Sequence, residues 1–209
     1  MMYDTAVETR PLEEQFVRDN ELFKRQLDYL LQHSDFYKKK LADAGITSAK
    51  DINGLEDIAR LPFTEKDEIR ATQANSPPYG AHLAVDPRKL RRVFSTSGTT
   101  GVPCYLGLTQ HDLDMYATNV ARGYTAAGFK PGQSVVVGFN AGPFVAGGVY
   151  YGFDKIGCNV IPVGTGNTER MVTAIQRLGA TGVSCTPSYA LYLIEWCRDN
   201  GIAPESLGL

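Results

Sequence analysis

Apolar residues recur at helical spacing from residue 12 to 43, where Phe16, Leu22, Phe23, Leu27, Leu30 and Leu31 fall on one face. Ser34 is placed to cap a second helix that stops at Gly45. In Leu61-Pro62-Phe63-Thr64-Glu65-Lys66-Asp67 the proline ends one element, and Thr64 with Asp67 has the spacing of a capping box. That box predicts a short helix to about Ala71. Ser76-Pro77-Pro78-Tyr79-Gly80 then reads as a loop.

From Arg91 the texture changes. Val93-Phe94-Ser95 and Cys104-Tyr105-Leu106 predict two short strands of a hairpin, joined by a loop of glycine, serine and threonine. Thr109 with Asp112 repeats the capping spacing and predicts a helix to about Ala127, ended by Gly128. Strands are expected at Val135 to Phe139, Val160 to Val163 and Val183 to Thr186. Helices are expected at Phe144 to Ile156, from an Asn167 cap to Gly179, and at Tyr189 to Arg198. Valine and isoleucine runs alternating with helices argue a layered α/β/α fold with a mostly parallel sheet. The predicted organisation is a helical segment over residues 1–85 followed by an α/β region over 86–209. Ser206 to Leu209 falls where the pattern calls for another strand, which leaves the series unfinished.

Composition narrows the function classes. A chain of 209 residues, 43% of them hydrophobic, can bury a core. Its 21 basic and 23 acidic residues leave a net charge of −2, with no basic excess to attract nucleic acid. No run approaches the roughly 20 apolar residues of a membrane span, and Met1 to Glu14 lacks a signal peptide's apolar core. A cytoplasmic protein with neither nucleic-acid nor membrane partner is expected. Cys104, Cys158, Cys185 and Cys197 show no CxxC spacing, which predicts small buried residues and no metal site. His33, His82 and His111 have no ligand spacing and are expected to be structural or solvated.

The chemistry concentrates in Ser95-Thr96-Ser97-Gly98-Thr99-Thr100-Gly101-Val102-Pro103. Its glycines let successive N–H groups turn into one concavity and its hydroxyls add donors, which suits an anion such as a triphosphate. It is not a Walker loop, because Gly-Lys-Ser/Thr is missing and a strand follows. A plain hairpin turn is the alternative reading of the same composition. The order Ser-Gly-Thr-Thr-Gly, then proline one residue later, resembles the phosphate-binding signature of the adenylate-forming superfamily. Leu61 to Lys66, Ile161-Pro162 leading to Gly166-Asn167-Thr168-Glu169-Arg170, and Thr186-Pro187-Ser188-Tyr189-Ala190 resemble its phenylacetate-CoA ligase branch over roughly residues 20 to 209.

The resemblance implies an incomplete adenylate-forming large domain from an enzyme that activates an aryl carboxylic acid with Mg-ATP and passes it to coenzyme A. It implies that Ser97, Gly98, Thr99, Thr100 and Gly101 orient the β- and γ-phosphates of ATP. Cys104 stands where the wider superfamily usually has lysine, a departure that the phenylacetate branch shares. Phe144, Gly147 and Gly148 are implied to line the acyl pocket. On a helix Gly148 and Gly152 share a face, which suits either a ring lying on the backbone or tight helix packing. The superfamily's Mg²⁺-holding acid, its ribose-gripping aspartate and its mobile-domain lysine have no counterpart, so catalytic residues are expected beyond Leu209. A truncated, inactive piece is the expectation, with a non-catalytic phosphate-binding or subunit-interaction module as the alternative. An unpaired sheet edge offers a route to a homodimer.

Overall fold

A computed structural model describes residues 1–96, 101–140 and 145–209, with backbone alone at 145 and 146. Internal contacts divide these into two compact units, Ala6–Gln110 and Met1–Thr5 with His111–Leu209. The hairpin therefore groups with the helices that precede it. A single helical turn, α1 (Thr5–Glu8), straddles the division.

In the first unit the long amphipathic stretch is α2 (Leu12–His33) followed by α3 (Asp35–Asp43). Ser34 breaks the run as expected: its backbone is extended, and its side-chain oxygen accepts from the Tyr37 N–H at 3.4 Å. The buried cluster beneath these helices is Leu27, Leu31, Leu41, Ile46 and Ile52, with Phe23 and Leu61 against it. Each fully buried aliphatic side chain of this kind contributes about 1.5–3 kcal/mol. The predicted face was too long. Phe16 and Leu22 are 47% and 46% exposed, because only the carboxyl half of α2 meets the cluster.

Helix α4 spans Lys66–Asn75, one residue later in start and one turn longer than expected. The cap uses Glu65 and Glu68 in place of Thr64 and Asp67, with the Glu68 carboxylate accepting from the Glu65 N–H at 2.7 Å. Lys40 decides the frame, since its ammonium donates to Glu68 Oε1 at 2.6 Å. Those two donors hold the Glu68 carboxyl below its ordinary pKa, the Lys40 bond first. Strands β1 (Leu90–Ser95) and β2 (Tyr105–Thr109) then form the antiparallel hairpin, in a register that sets Phe94 opposite Leu106 and Ser95 opposite Tyr105.

The second unit holds α5 (Gln110–Ala126, nearly all of it) and a wholly parallel sheet of order β4-β3-β5. Its strands are β3 (Ser134–Val137), β4 (Asn159–Pro162) and β5 (Gly182–Ser184). A 3-10 turn at Val145–Gly148 leads into α6 (Val149–Ile156); α7 (Thr168–Leu178) and α8 (Pro187–Asp199) follow β4 and β5. Phe144, where that helix was expected to begin, lies outside the described residues.

Strand alternation explains the layering. Val135 and Val137 face a cluster with Ala121, Phe153 and Ile156, while Val136 faces one with Met171, Val172, Ile175, Leu193 and Cys197. All three valines are fully buried, so helices cover both faces of β3. Two strands, β3 and β5, are shorter than predicted, and β4 keeps its length but starts one residue earlier. Phe139 and Asn140 have left the sheet after β3, and Thr186 leaves β5 because its hydroxyl caps α8, accepting from the Tyr189 N–H at 3.3 Å. Asn167 caps α7 as expected, accepting from the Arg170 N–H at 2.7 Å, and Gly179 ends that helix in the left-handed region.

Candidate functional site

The glycine- and hydroxyl-rich loop is rooted where the two hairpin strands meet. Ser97, Gly98, Thr99 and Thr100 lie outside the described residues. At the root the Thr96 N–H donates to the Cys104 carbonyl at 2.9 Å, and the Cys104 N–H donates to Thr96 Oγ1 at 3.0 Å. Gly101 has φ +130°, a conformation that side chains rarely adopt, and a Cβ there would meet no atom of the described residues within 4 Å. Of the five residues implied to hold phosphate, it is the one described.

The carboxyl limb of the loop is held from the side by α4. Arg70 Nε donates to the Val102 carbonyl at 3.2 Å, while its Nη1 reaches Asp67 at 2.7 Å. The Gln73 amide donates to the Tyr105 carbonyl at 2.7 Å and accepts from the Tyr105 N–H at 3.2 Å. Cys104 is buried, with its sulfur 3.9 Å from the Lys66 carbonyl oxygen. A thiol suits that space, whereas a lysine there would bury its charge. Arg70, Gln73, Pro77, Tyr79, Val102 and Tyr105 line an open, largely apolar hollow of about 670 Å³ beside the limb.

In the second unit the carboxyl ends of the strands are the place where open α/β sheets generally bind ligands. Asn140, just after β3, donates from Nδ2 to Thr165 Oγ1 at 2.9 Å and accepts from the Thr165 N–H at 3.1 Å. This clasp ties the segment after β3 to the segment after β4. Arg170 Nη2 donates to the Val163 carbonyl at 2.8 Å, and Tyr150 donates to the Phe139 carbonyl at 2.6 Å. Burial raises the Tyr150 pKa, keeping that phenol a donor. Tyr124 and Ser184 share a hydroxyl–hydroxyl bond of 2.6 Å.

Among the residues implied to line an acyl pocket, Phe144 lies outside the described residues, and Gly147 and Gly148 are buried. A Cβ at Gly148 would stand 2.1 Å from Tyr116 Cε1, and one at Gly152 2.2 Å from Val120 Cγ1. Both glycines thus admit side chains of α5 against α6, the tight-packing alternative, although against a helix rather than the sheet. Gly148 nonetheless has an aromatic ring on its backbone, that of Tyr116.

The cysteines are free: Cys104 and Cys197 are buried, and Cys158 and Cys185 half-buried. Burial raises the thiol pKa of Cys158, Cys185 and Cys197, which disfavours the nucleophilic thiolate. Among the described residues no group of three or more histidine, cysteine or acidic side chains could hold a metal ion, and no helix is long and apolar enough to cross a membrane. Sequence reasoning missed Arg70, Gln73 and Asn140. Asn140 had a signal, its place just after a predicted strand; the α4 residues had none, because their partners are backbone atoms some 30 positions away.

The fold of this chain is that of part of an adenylate-forming CoA ligase. The solved structure of 2-hydroxyisobutyryl-CoA ligase, in complex with 2-HIB-AMP and CoA in the thioesterification state, superposes on all of this chain. Its TM-score is 0.93 at 29% identity, and 44% of that protein is covered. Within this class the chain is a homologue of phenylacetate-CoA ligases. The Thermus thermophilus phenylacetate-coenzyme A ligase is 40% identical over 210 residues, 100% of this chain and 46% of the relative. The Pseudomonas putida phenylacetate-coenzyme A ligase is 36% identical over 190 residues, covering 90% of this chain and 42% of the relative. The chain thus spans under half the length of these relatives. No protein-family model matches it.

Proposed function

We propose that the protein carrying this chain is an ATP-dependent ligase that joins an aryl carboxylic acid, phenylacetate or a near relative, to coenzyme A. The observation that carries this reading is similarity along the whole of this chain to under half of a phenylacetate-CoA ligase, in a chain whose glycine–hydroxyl loop is rooted by the Thr96–Cys104 pair. In this reading the acid attacks the α-phosphorus of ATP and pyrophosphate leaves. The coenzyme A thiol then displaces AMP from the acyl-adenylate.

Ser97, Gly98, Thr99, Thr100 and Gly101 would orient the β- and γ-phosphates, offering donors to the charge that grows on departing pyrophosphate. Mg²⁺ would shield the same phosphates, and the described residues supply no cluster of ligands for it. Phe144, Gly147 and Gly148 would border the acyl group. The groups that act on the reacting atoms would be supplied by the larger protein, with residues 1–85 as its helical amino-terminal segment and 86–209 as its first α/β subdomain. A cytoplasmic location and a homodimer belong to the same reading; the net charge of −2 gives no support for a nucleic-acid partner. Sedimentation measures the oligomer.

Expressed at full length, the protein should exchange labelled pyrophosphate into ATP when phenylacetate is added. Absence of acid-dependent exchange across a panel of aryl acids would refute the ligase. Thr99→Val and Thr100→Val should raise the KM for ATP while leaving the melting temperature nearly unchanged, since each removes a donor with little change of volume. Parallel losses of activity and melting temperature would make the loop a structural turn.

A further inference from the structure

We infer that Gln73, seconded by Arg70, is a positioning residue that fixes the carboxyl limb of the phosphate loop and so sets the enzyme's hold on ATP. The inference rests on the ligase reading above. In an antiparallel pair, residues alternate between exchanging hydrogen bonds with the partner strand and pointing their backbone groups away from it. Thr96 and Cys104 form a bonded pair at the loop root, so the next pair, Ser95 and Tyr105, turns its backbone outward. The outward N–H and carbonyl of Tyr105 are the two atoms that the Gln73 amide engages, each group meeting its complement. One side chain thereby occupies the place of a third strand.

Arg70 lies one turn before Gln73 on α4 and grips the limb three residues earlier, at the Val102 carbonyl. Asp67 in turn holds the Arg70 guanidinium at 2.7 Å. Between the two grips lie Pro103 and Cys104, the latter buried against the start of α4. Gly101, immediately before the first grip, has a backbone conformation that few residues share, and a flexible residue there needs an anchored neighbour if its N–H is to face a phosphate reproducibly. The contacts at Val102 and at Tyr105 supply that anchor. Both side chains also line the apolar hollow, with the Gln73 amide and Arg70 Nε turned onto the limb and Arg70 Nη1 onto Asp67.

The experiment compares wild type, Gln73→Ala and Arg70→Lys in the full-length protein, with amide hydrogen exchange and steady-state kinetics as paired readouts. Gln73→Ala should strip protection from the Tyr105 amide and raise the KM for ATP about tenfold, while the KM for the acid stays within about twofold. Arg70→Lys keeps the charge beside Asp67 but loses the fork, and should raise the KM for ATP less. Should Gln73→Ala not fold, Arg70→Lys decides alone by the same split. A Tyr105 amide as protected as in wild type, or equal rises in both KM values, overturns the inference. A wild-type protein without acid-dependent pyrophosphate exchange overturns the ligase reading only, and the Tyr105 amide then still decides whether Gln73 holds the limb.

Discussion

The two compact units solve the same problem by different means. The sheet unit is held by side-chain burial on both faces of β3, where three consecutive valines are fully covered. The hairpin unit buries a smaller aliphatic cluster under α2 and α3, well away in sequence from its strands, and the hairpin itself leaves Val93, Tyr105 and Leu106 exposed. Its second strand and the loop limb before it are steadied by directed polar contacts from α4. The hydrophobic effect is non-directional, whereas a bidentate amide holds particular atoms in a defined geometry. The loop that would have to meet a polyphosphate lies on the unit held by the more exacting kind of contact.

The strongest way to break this contrast is to empty one core. Phe153→Ala removes a ring that stacks against Tyr124 and Phe129, with centroids 4.2 and 5.1 Å away, and should cost about 3–5 kcal/mol in chemical denaturation. Ile52→Ala in the other cluster should cost about 2–5 kcal/mol. Amide exchange should accelerate in β3 to β5 for the first variant and around Ile46 to Ile52 for the second. Acceleration in both regions for both variants would erase the distinction.

A smaller effect should follow from filling a gap. Gly152→Ala would set a methyl 2.2 Å from Val120 and 3.2 Å from the backbone of Ala121, so α5 must shift. Overpacking of this sort costs about 1–3 kcal/mol, against up to about 1 kcal/mol gained from helix propensity. A more stable variant would mean that α5 and α6 separate freely, and would return the glycine face to the acyl pocket.

The smallest effect concerns pH in the hairpin unit. Burial lowers the His82 pKa, and the ring Nδ1 lies 2.7 Å from Thr72 Oγ1. The Thr72 hydroxyl also lies 2.9 Å from the Ile69 carbonyl. Because the folded pKa lies below the unfolded value of about 6.5, the unfolded chain takes up the proton first. The contribution is therefore complete above about pH 6.5 and is lost as pH falls through the folded pKa. Denaturation midpoints between pH 7 and 5 should fall more for wild type than for His82→Gln. Equal slopes would assign the loss to the carboxylates.

Much of this was readable along the chain wherever one residue type dictates a local outcome. Ser34, Asn167 and Gly179 act within a turn of themselves, so their roles as caps and stop appear in the sequence. The start of α4 did not, because Thr64-Glu65-Lys66-Asp67-Glu68 contains two overlapping frames and the distant Lys40 chooses between them. The apolar stripe of α2 gave its direction but not its length. Phe16 and Leu22 continue the spacing beyond the point where anything covers them. For the site, the loop was legible as composition, whereas Arg70 and Gln73 were invisible: they bind main-chain atoms, and any sequence offers those equally.

The amide of Gln73 has one more consequence. A two-stranded ribbon with apolar residues showing and a bare outer edge is a template on which a second ribbon can grow. Gln73 takes the outward-facing donor and acceptor at Tyr105, so at that position the edge offers a second ribbon no free backbone pair.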